Sequence, residues 1–284
     1  MKFIDLAQGS QEWLHFRRMG IGASDAPSIM GVGFKTPYQL FMDKMTGSEA
    51  VVNSAMQRGK DLEQPARELF IKMTGIEIDP AVVVHDEHEW QFASLDGIDK
   101  DKSILVEIKC PGHRDHQSAV EGMIPGKYYP QLQHQFAVTG LDRGYYFSFD
   151  GKNGVIVEIR RDDHYIKELI HKEKQFYQCM LDLEPPSLIE KDLITFEDEE
   201  WNSIAQLYIE TKSQIESLEE KERLLRERLI SIAGERNVQG CGIKLFRMMR
   251  KGAVDYTKIP ELKDVSLDKY RKKPTDFWKI SLTK

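Results

Sequence analysis

Ser94–Gly112 reads SLDGIDKDKSILVEIKCPG, and the fold turns on how this stretch is divided. Ile104–Cys110 is rich in β-branched residues and stops at Pro111-Gly112, which marks a strand. Before it, Trp90–Leu95 alternates weakly and meets Asp96-Gly97, a turn dipeptide, so a second strand is expected to stop there. Paired as an antiparallel hairpin through residues 97–103, the two strands bring Asp96 beside Glu107. Period-two alternation puts Glu107 and Lys109 on one face. Two carboxylates and an ammonium then share that face.

Hard oxygen ligands converging at one point suit a magnesium ion, which keeps waters in its remaining positions. One such ion, or a pair, stabilises charge on a phosphoryl oxygen and activates a water. The lysine can orient or deprotonate that water, or stabilise charge in the transition state. The same spacing also arises by chance in charged proteins, where Glu-x-Lys is an ordinary edge-strand pattern. Three neighbours favour a site. The strand is otherwise apolar, with Ile104, Leu105, Val106 and Ile108. Asp96 precedes a glycine, where backbone approaches a ligand closely. Glu63, on a preceding helix in RGKDLE, offers a third carboxylate.

Outward from this stretch the chain alternates helices and strands. Gln11–Met19 has helical spacing. In IGASDAP, Ser24 or Asp25 is a natural N-cap and Pro27 suits the first turn. Thr36 and Pro37 repeat that logic before YQLFMDKM. Lys60–Met73 is a third helix, ended by Gly75. Ala81–His85 opens the strand run. Pro130–Thr139 is a helix ending at Gly140. Gly144–Asp150 and Val155–Arg161 are strands joined by Gly-Lys-Asn-Gly. Asp162–Met180 is an amphipathic helix. The order predicts an α/β (α+β) core with a mixed central sheet flanked by helices.

LEPPS, 183–187, is the clearest boundary, because two prolines hold the chain extended. It separates a domain over residues 1–183 from an extension over 184–284. In the extension, Trp201, Ile204, Tyr208, Ile215, Leu218, Leu225, Leu229 and Ile232 keep a three-four spacing, interrupted by Thr211 and Glu222. This is a long helix that packs on its own domain or on a partner helix, or an intermolecular coiled coil. Gly234 and the Gly240/Gly242 pair end it. KLFRMMRKGAVDYTKI and LDKYRKKPTDFWK follow, basic with interleaved aromatics. They read equally as a nucleic-acid surface and as a solvated hairpin and tail.

The chain has 284 residues, 40 Lys and Arg against 46 Asp and Glu, a formal charge of −6, and 40% hydrophobic residues. It is too long and too apolar to be disordered. Three cysteines cannot staple a small secreted domain. No apolar run is long enough for a membrane span, and MKFIDLAQGSQEW lacks the regions of a signal peptide. A soluble protein of a reducing compartment is expected.

SLDG followed by VEIKCPG is similar to the PD-(D/E)XK nuclease core, and more narrowly to the bacteriophage lambda exonuclease and YqaJ-like viral recombinase family. WLHFRRMGIGASD (13–25), RGKDLE (58–63) and YYPQLQHQFAVTG (128–140) resemble further motifs of that family, in its order, over roughly residues 9–181. The resemblance implies that Asp96, Glu107 and the Ile108 carbonyl bind Mg²⁺, with Mn²⁺ as a substitute, and that Glu63 contributes directly or through water. It implies Lys109 as the catalytic lysine, and Arg17 and Ser24 as holders of the 5′ phosphate of a DNA end. Gln131 and Gln133 match the glutamine helix that lines the site. The extension departs from the family's smaller members. Gly240–Tyr256 resembles a G-x-G-x-K…R-K-G-x-V-D-Y tail of some relatives and has no assigned role.

The implied function is a Mg²⁺-dependent 5′→3′ exonuclease on linear double-stranded DNA, using two-metal phosphodiester hydrolysis. It leaves 3′ single-stranded tails for phage-type recombination. Its implied partners are DNA ends, a single-strand annealing protein and further copies of itself in a ring trimer, in the cytoplasm of a bacterial host. Two alternatives stay open. One is an endonuclease or non-processive nuclease on the same core. The other is a catalytically idle DNA-binding module, disfavoured because Asp96, Glu107 and Lys109 are all present. Cys110, His113 and His116 invite a zinc reading but lack an evident fourth ligand. Three separated cysteines cannot hold an iron–sulfur cluster. No Walker A loop and no G-x-S-x-G context occur.

Overall fold

The computed structural model describes residues 1–6, 9–47, 54–255, 258–262 and 277–281. Within the basic tail, residues 256–257 and 263–276, and so Tyr256, lie outside the described residues. The chain divides into two compact units, Met1–Ile194 and Thr195–Lys284.

In the first unit the elements follow in this order. β1 (Lys2–Ile4), α1 (Gln11–Met19), β2 (Ile21–Gly22), a 3₁₀ turn (Ala23–Asp25) and α2 (Ala26–Ile29) come first. Then come α3 (Pro37–Thr46), α4 (Ser54–Thr74), β3 (Ile78–Val84), β4 (Gln91–Asp99) and β5 (Leu105–Lys109). The unit closes with α5 (His113–Val120), α6 (Tyr129–Thr139), β6 (Arg143–Phe149), β7 (Gly154–Arg160) and α7 (Asp163–Asp182). The strands form one mixed sheet in the order β1-β3-β4-β5-β6-β7, with β2 paired on β4. The β5–β6 and β2–β4 pairs are parallel and the rest antiparallel. The expected mixed α/β architecture is what the chain adopts.

Alternation along β5 explains the layering. Val106 and Ile108 point to one face and pack under Ala66 and Phe70 of α4. Leu105 points to the other, with Leu132 and Phe136 of α6 and Ile166 of α7. Glu107 and Lys109 follow Leu105 by two and four residues, so they face α6. A parallel β5–β6 pair cannot be closed by a hairpin, and its crossover is the segment that carries α5 and α6.

One local expectation is corrected. Asp96-Gly97 is not a turn, because β4 runs on to Asp99. Gly97 is there for close packing: a Cβ at that position would meet Ile78 Cδ1 at 2.5 Å. Asp99 makes the turn instead, its carboxylate accepting from the Ser103 and Ile104 N–H groups, each at 2.7 Å. Helix α3 starts as expected, with Thr36 accepting from the Gln39 N–H at 3.1 Å. Helix α7 ends at Asp182, just before the prolines.

In the second unit, α8 (Glu199–Ala233) is one 35-residue helix. It is followed by a small hairpin, β8 (Val238–Gly240) and β9 (Ile243–Leu245). Cys241 and Gly242 both have positive φ (46° and 79°), the requirement of a tight hairpin loop. Among the described residues no helix is long and apolar enough to cross a membrane.

Candidate active site

The register of β4 on β5, Gly97 with Val106 and Ile98 with Leu105, brings Asp96 level with Glu107 one step further along. The Ile108 N–H donates to Asp96 Oδ2 at 2.8 Å, tying the carboxylate to the neighbouring strand. Lys109 Nζ pairs with Glu107 Oε1 at 2.5 Å. The three residues expected to share a face do so.

Glu107 is 1% exposed and carries a full set of donors. Gln131 Nε2 donates to Oε1 at 2.5 Å, and Gln135 Nε2 donates to Oε2. Gln131 and Gln135 lie one turn apart on α6, so the same helix face presents both. Gln133 lies on another face. Its Nε2 donates to the Arg160 carbonyl and its Oε1 accepts from the Asp162 N–H, both at 2.9 Å, so it joins β7 to α7 and does not line the site. Gln135 takes the place that the sequence reading gave to Gln133. Counting four residues on from Gln131 would have found it.

The electrostatics are those of a site with surplus negative charge. Burial and the nearby Glu107 charge raise the Asp96 carboxyl well above 3.8, and Lys109 and the Ile108 N–H do not cancel this. Burial works against the Lys109 ammonium, yet Glu107 and Asp96 outweigh it and hold its pKa above the ordinary lysine value. Lys109 is therefore a cation here. Its ammonium also lies 5.5 Å from the Tyr128 ring centre. Two opposed oxygen-only ligands, one driven towards its neutral form, fit a hard divalent cation. Among the described residues no three His, Cys, Asp or Glu side chains come together as a metal cage. Glu63, the third carboxylate of the sequence reading, is held by an arginine beside the pair. It pairs with Arg67 at 2.7 Å, and Arg67 Nε donates to the Asp96 backbone carbonyl at 3.0 Å. Glu63 still acts on Asp96 through its charge.

Arg17 and Ser24 meet: Arg17 Nη2 donates to Ser24 Oγ at 2.8 Å, with the guanidinium 4.7 Å from the Trp13 ring centre. Ser24 is inside the 3₁₀ turn and caps nothing. The Asp25 carboxylate turns back to accept from the Gly22 N–H at 2.9 Å. Beneath this pair is a buried lysine that sequence reading missed. Lys44 Nζ pairs with Asp25 at 2.7 Å and donates to the carbonyls of Arg17 (3.0 Å) and Gly20 (2.9 Å). Burial pushes the Asp25 carboxyl up, but Lys44 and Arg17 prevail and keep it below 3.8.

The zinc reading finds no support among the described residues. His116 Nδ1 lies 2.8 Å from Ser148 Oγ, and its Nε2 is 3.7 Å from Asp150. Burial lifts the Cys110 thiol to about 11, so it is not a thiolate at neutral pH.

A family model, the YqaJ-like viral recombinase domain, matches residues 12–142, a stretch containing Arg17, Ser24, Asp96, Glu107, Lys109, Gln131 and Gln135. Residues 12–142 are thus similar to a YqaJ-like viral recombinase domain. The chain is 32% identical over 175 residues to Uncharacterized protein YqaJ of Bacillus subtilis (strain 168), which is 58% of this chain and 54% of that protein. It thus spans about half the length of that relative. The crystal structure of LHK-Exo in complex with dAMP is similar over 61% of this chain and 94% of that one, with a TM-score of 0.55 and 28% identity. LHK-Exo is an alkaline exonuclease from Laribacter hongkongensis. The sheet and helices of the first unit thus have the architecture of a PD-(D/E)XK-type exonuclease.

Proposed function

We propose that the YqaJ-like domain is a phage-type deoxyribonuclease that removes nucleotides from the 5′ end of one strand of linear duplex DNA. The observation that carries this is the meeting of Asp96, Glu107 and Lys109 on one sheet face, under a helix that supplies two further donors to Glu107. The likeness to an alkaline exonuclease supports the reaction class. Asp96 and Glu107 would hold Mg²⁺, with Mn²⁺ as a substitute and the Ile108 carbonyl as a further oxygen. The bound ion supplies Lewis-acid stabilisation of phosphoryl charge and a water of lowered pKa.

The protein's own groups have separable tasks. Gln131, Gln135 and Lys109 fix the orientation of the Glu107 carboxylate, so that little reorganises when substrate arrives. Lys109, charged and one residue from the Asp96–Ile108 contact, donates to negative charge growing on the phosphate. Arg17 and Ser24 offer a guanidinium and a hydroxyl to a terminal 5′ phosphate, and the Lys44–Asp25 pair holds the backbone that carries them. The products are 3′ single-stranded tails for an annealing protein in phage-type recombination.

The test compares a linear 5′-phosphorylated duplex with a covalently closed circle, each with Mg²⁺. Loss of the linear duplex alone is expected. Cutting of the circle makes the protein an endonuclease, and a gel shift without cutting of either makes it a DNA-binding module.

A further inference from the structure

The apolar stripe of α8 remains unused by this reading and is independent of it. Trp201, Ile204, Leu218 and Ile232 of the stripe are 58–64% exposed, and within the second unit the stripe lies open apart from the Phe196 ring, 5.5 Å from that of Trp201. The spacing from Trp201 to Ile232 is a strict three-four alternation over ten positions, the seven-residue period of a left-handed coiled coil. Eight of the positions are apolar. Thr211 and Glu222 are the fourth and the seventh.

We infer that α8 pairs with α8 of a second copy of this chain, antiparallel, about a two-fold axis between Glu216 and Ser217. Antiparallel packing sets each first-type core position against a second-type position of the partner. About that axis Ile215 meets Leu218, Tyr208 meets Leu225, Ile204 meets Leu229 and Trp201 meets Ile232. The same register sets Thr211 against Glu222, so the two polar interruptions share a layer and every other layer is apolar. The Thr211 hydroxyl, which donates to the Leu207 carbonyl at 2.7 Å within its own helix, exchanges that bond for one to the Glu222 carboxylate.

The flanking charges select the same arrangement. Lys212 and Glu219 occupy equivalent flanking positions, and antiparallel pairing brings Lys212 of each copy beside Glu219 of the other, twice by symmetry. Gln214 falls beside Lys221, and no like charges oppose. An in-register parallel pair sets Glu222 against Glu222 in the core and Lys221 against Arg226 on both flanks, which are repulsive contacts. Within one helix Lys212 and Glu219 are seven residues apart and out of reach, so their complementarity has a use only between chains.

The test uses the full chain with Cys110, Cys179 and Cys241 replaced by serine and one spin label introduced at Ser217→Cys or Ser203→Cys. At about 1.5 Å per residue, the antiparallel pair places the two Ser203 labels roughly 40 Å apart and the Ser217 labels on the order of 10–20 Å apart. Equal short distances at both positions indicate a parallel pair. Absence of a short distance at Ser217 means that α8 does not pair. Either result overturns the inference. A second measurement keeps the native cysteines. Lys212→Glu or Glu219→Lys alone weakens self-association in sedimentation by about tenfold, and the double reversal restores it. Single reversals without effect, or a double reversal without rescue, overturn the inference as well.

Discussion

The helix that carries Gln131 and Gln135 is anchored by a buried charge, and replacing Glu173 shows what that charge contributes. His134 is fully buried on α6, with Nδ1 2.6 Å from Glu173 Oε1 and Nε2 2.8 Å from the Phe92 carbonyl. With Glu173 ionised both partners only accept, so both ring nitrogens donate and the ring is an imidazolium. Burial opposes that charge, but Glu173 and the Phe92 carbonyl hold the pKa above 6.5. The other Glu173 oxygen accepts from Gln91 Nε2 at 2.7 Å. Glu173→Ala leaves an uncompensated buried cation and should cost about 3–5 kcal/mol. For a unit of this size that lowers the melting temperature by roughly 6–20 °C. Glu173→Gln behaves differently. The new amide can donate to a neutral His134 Nδ1 while its oxygen still accepts from Gln91, and His134 Nε2–H still donates to Phe92. Every bond survives without charge, so the cost should stay within about 1 kcal/mol.

The pH dependence separates the two states. With Glu173 present, the folded pKa of His134 lies above the unfolded value. Its contribution is complete below pH 6.5 and is lost as pH rises through the folded pKa. With the neutral amide, the folded ring resists protonation, so stability instead falls as pH drops below the unfolded value of about 6.5. Thermal denaturation from pH 5 to 9 of the native chain and both variants reads all of this. A Glu173→Gln protein as damaged as Glu173→Ala, or one that keeps the native pH slope, would refute the assignment of a buried imidazolium.

Four further outcomes follow from the site. Lys109→Ala should abolish cleavage of linear duplex, by about a hundredfold or more, while a gel shift persists; full activity would remove the lysine from the mechanism. Gln135→Leu frees one Glu107 oxygen and should lower the cleavage rate by roughly 10–100-fold with the fold intact by circular dichroism, and an unchanged rate would mean that the bond does not orient Glu107. Arg17→Ala should erode the preference for 5′-phosphorylated over 5′-hydroxyl ends, read as a ratio of initial rates. Gly97→Ala should destabilise by about 1–3 kcal/mol in urea, because the added methyl collides with Ile78.

The legible parts of this chain are those in which one pattern has one cause. The β-branched run of β5 and the period of α6 show in the sequence, and with them the shared face of Glu107 and Lys109. Gly97 did not read correctly because a glycine serves turns and close packing alike, and only Ile78, distant in sequence, distinguishes them. Gln133 and Gln135 both lie in a glutamine-rich stretch, and a helix separates by angle what the sequence sets side by side. Strands β1 and β2, of three and two residues, are too short to show alternation. That Arg67 reaches Glu63 does not show in the sequence either. Lys44 resembles any surface lysine until the carbonyls of Arg17 and Gly20 close on it.

The β5–β6 crossover has a consequence in time as well as in space. Asp96, Glu107 and Lys109 are assembled by a local hairpin, but their glutamine donors arrive only once the chain has crossed the sheet and β6 has docked beside β5. Loop closure of that kind is the slow part of building a sheet. A nascent chain that ends near residue 110 holds both carboxylates and the lysine, and none of the donors that orient Glu107. The cutting site would then become competent well after its carboxylates are made, with its chemistry withheld until synthesis has passed β6.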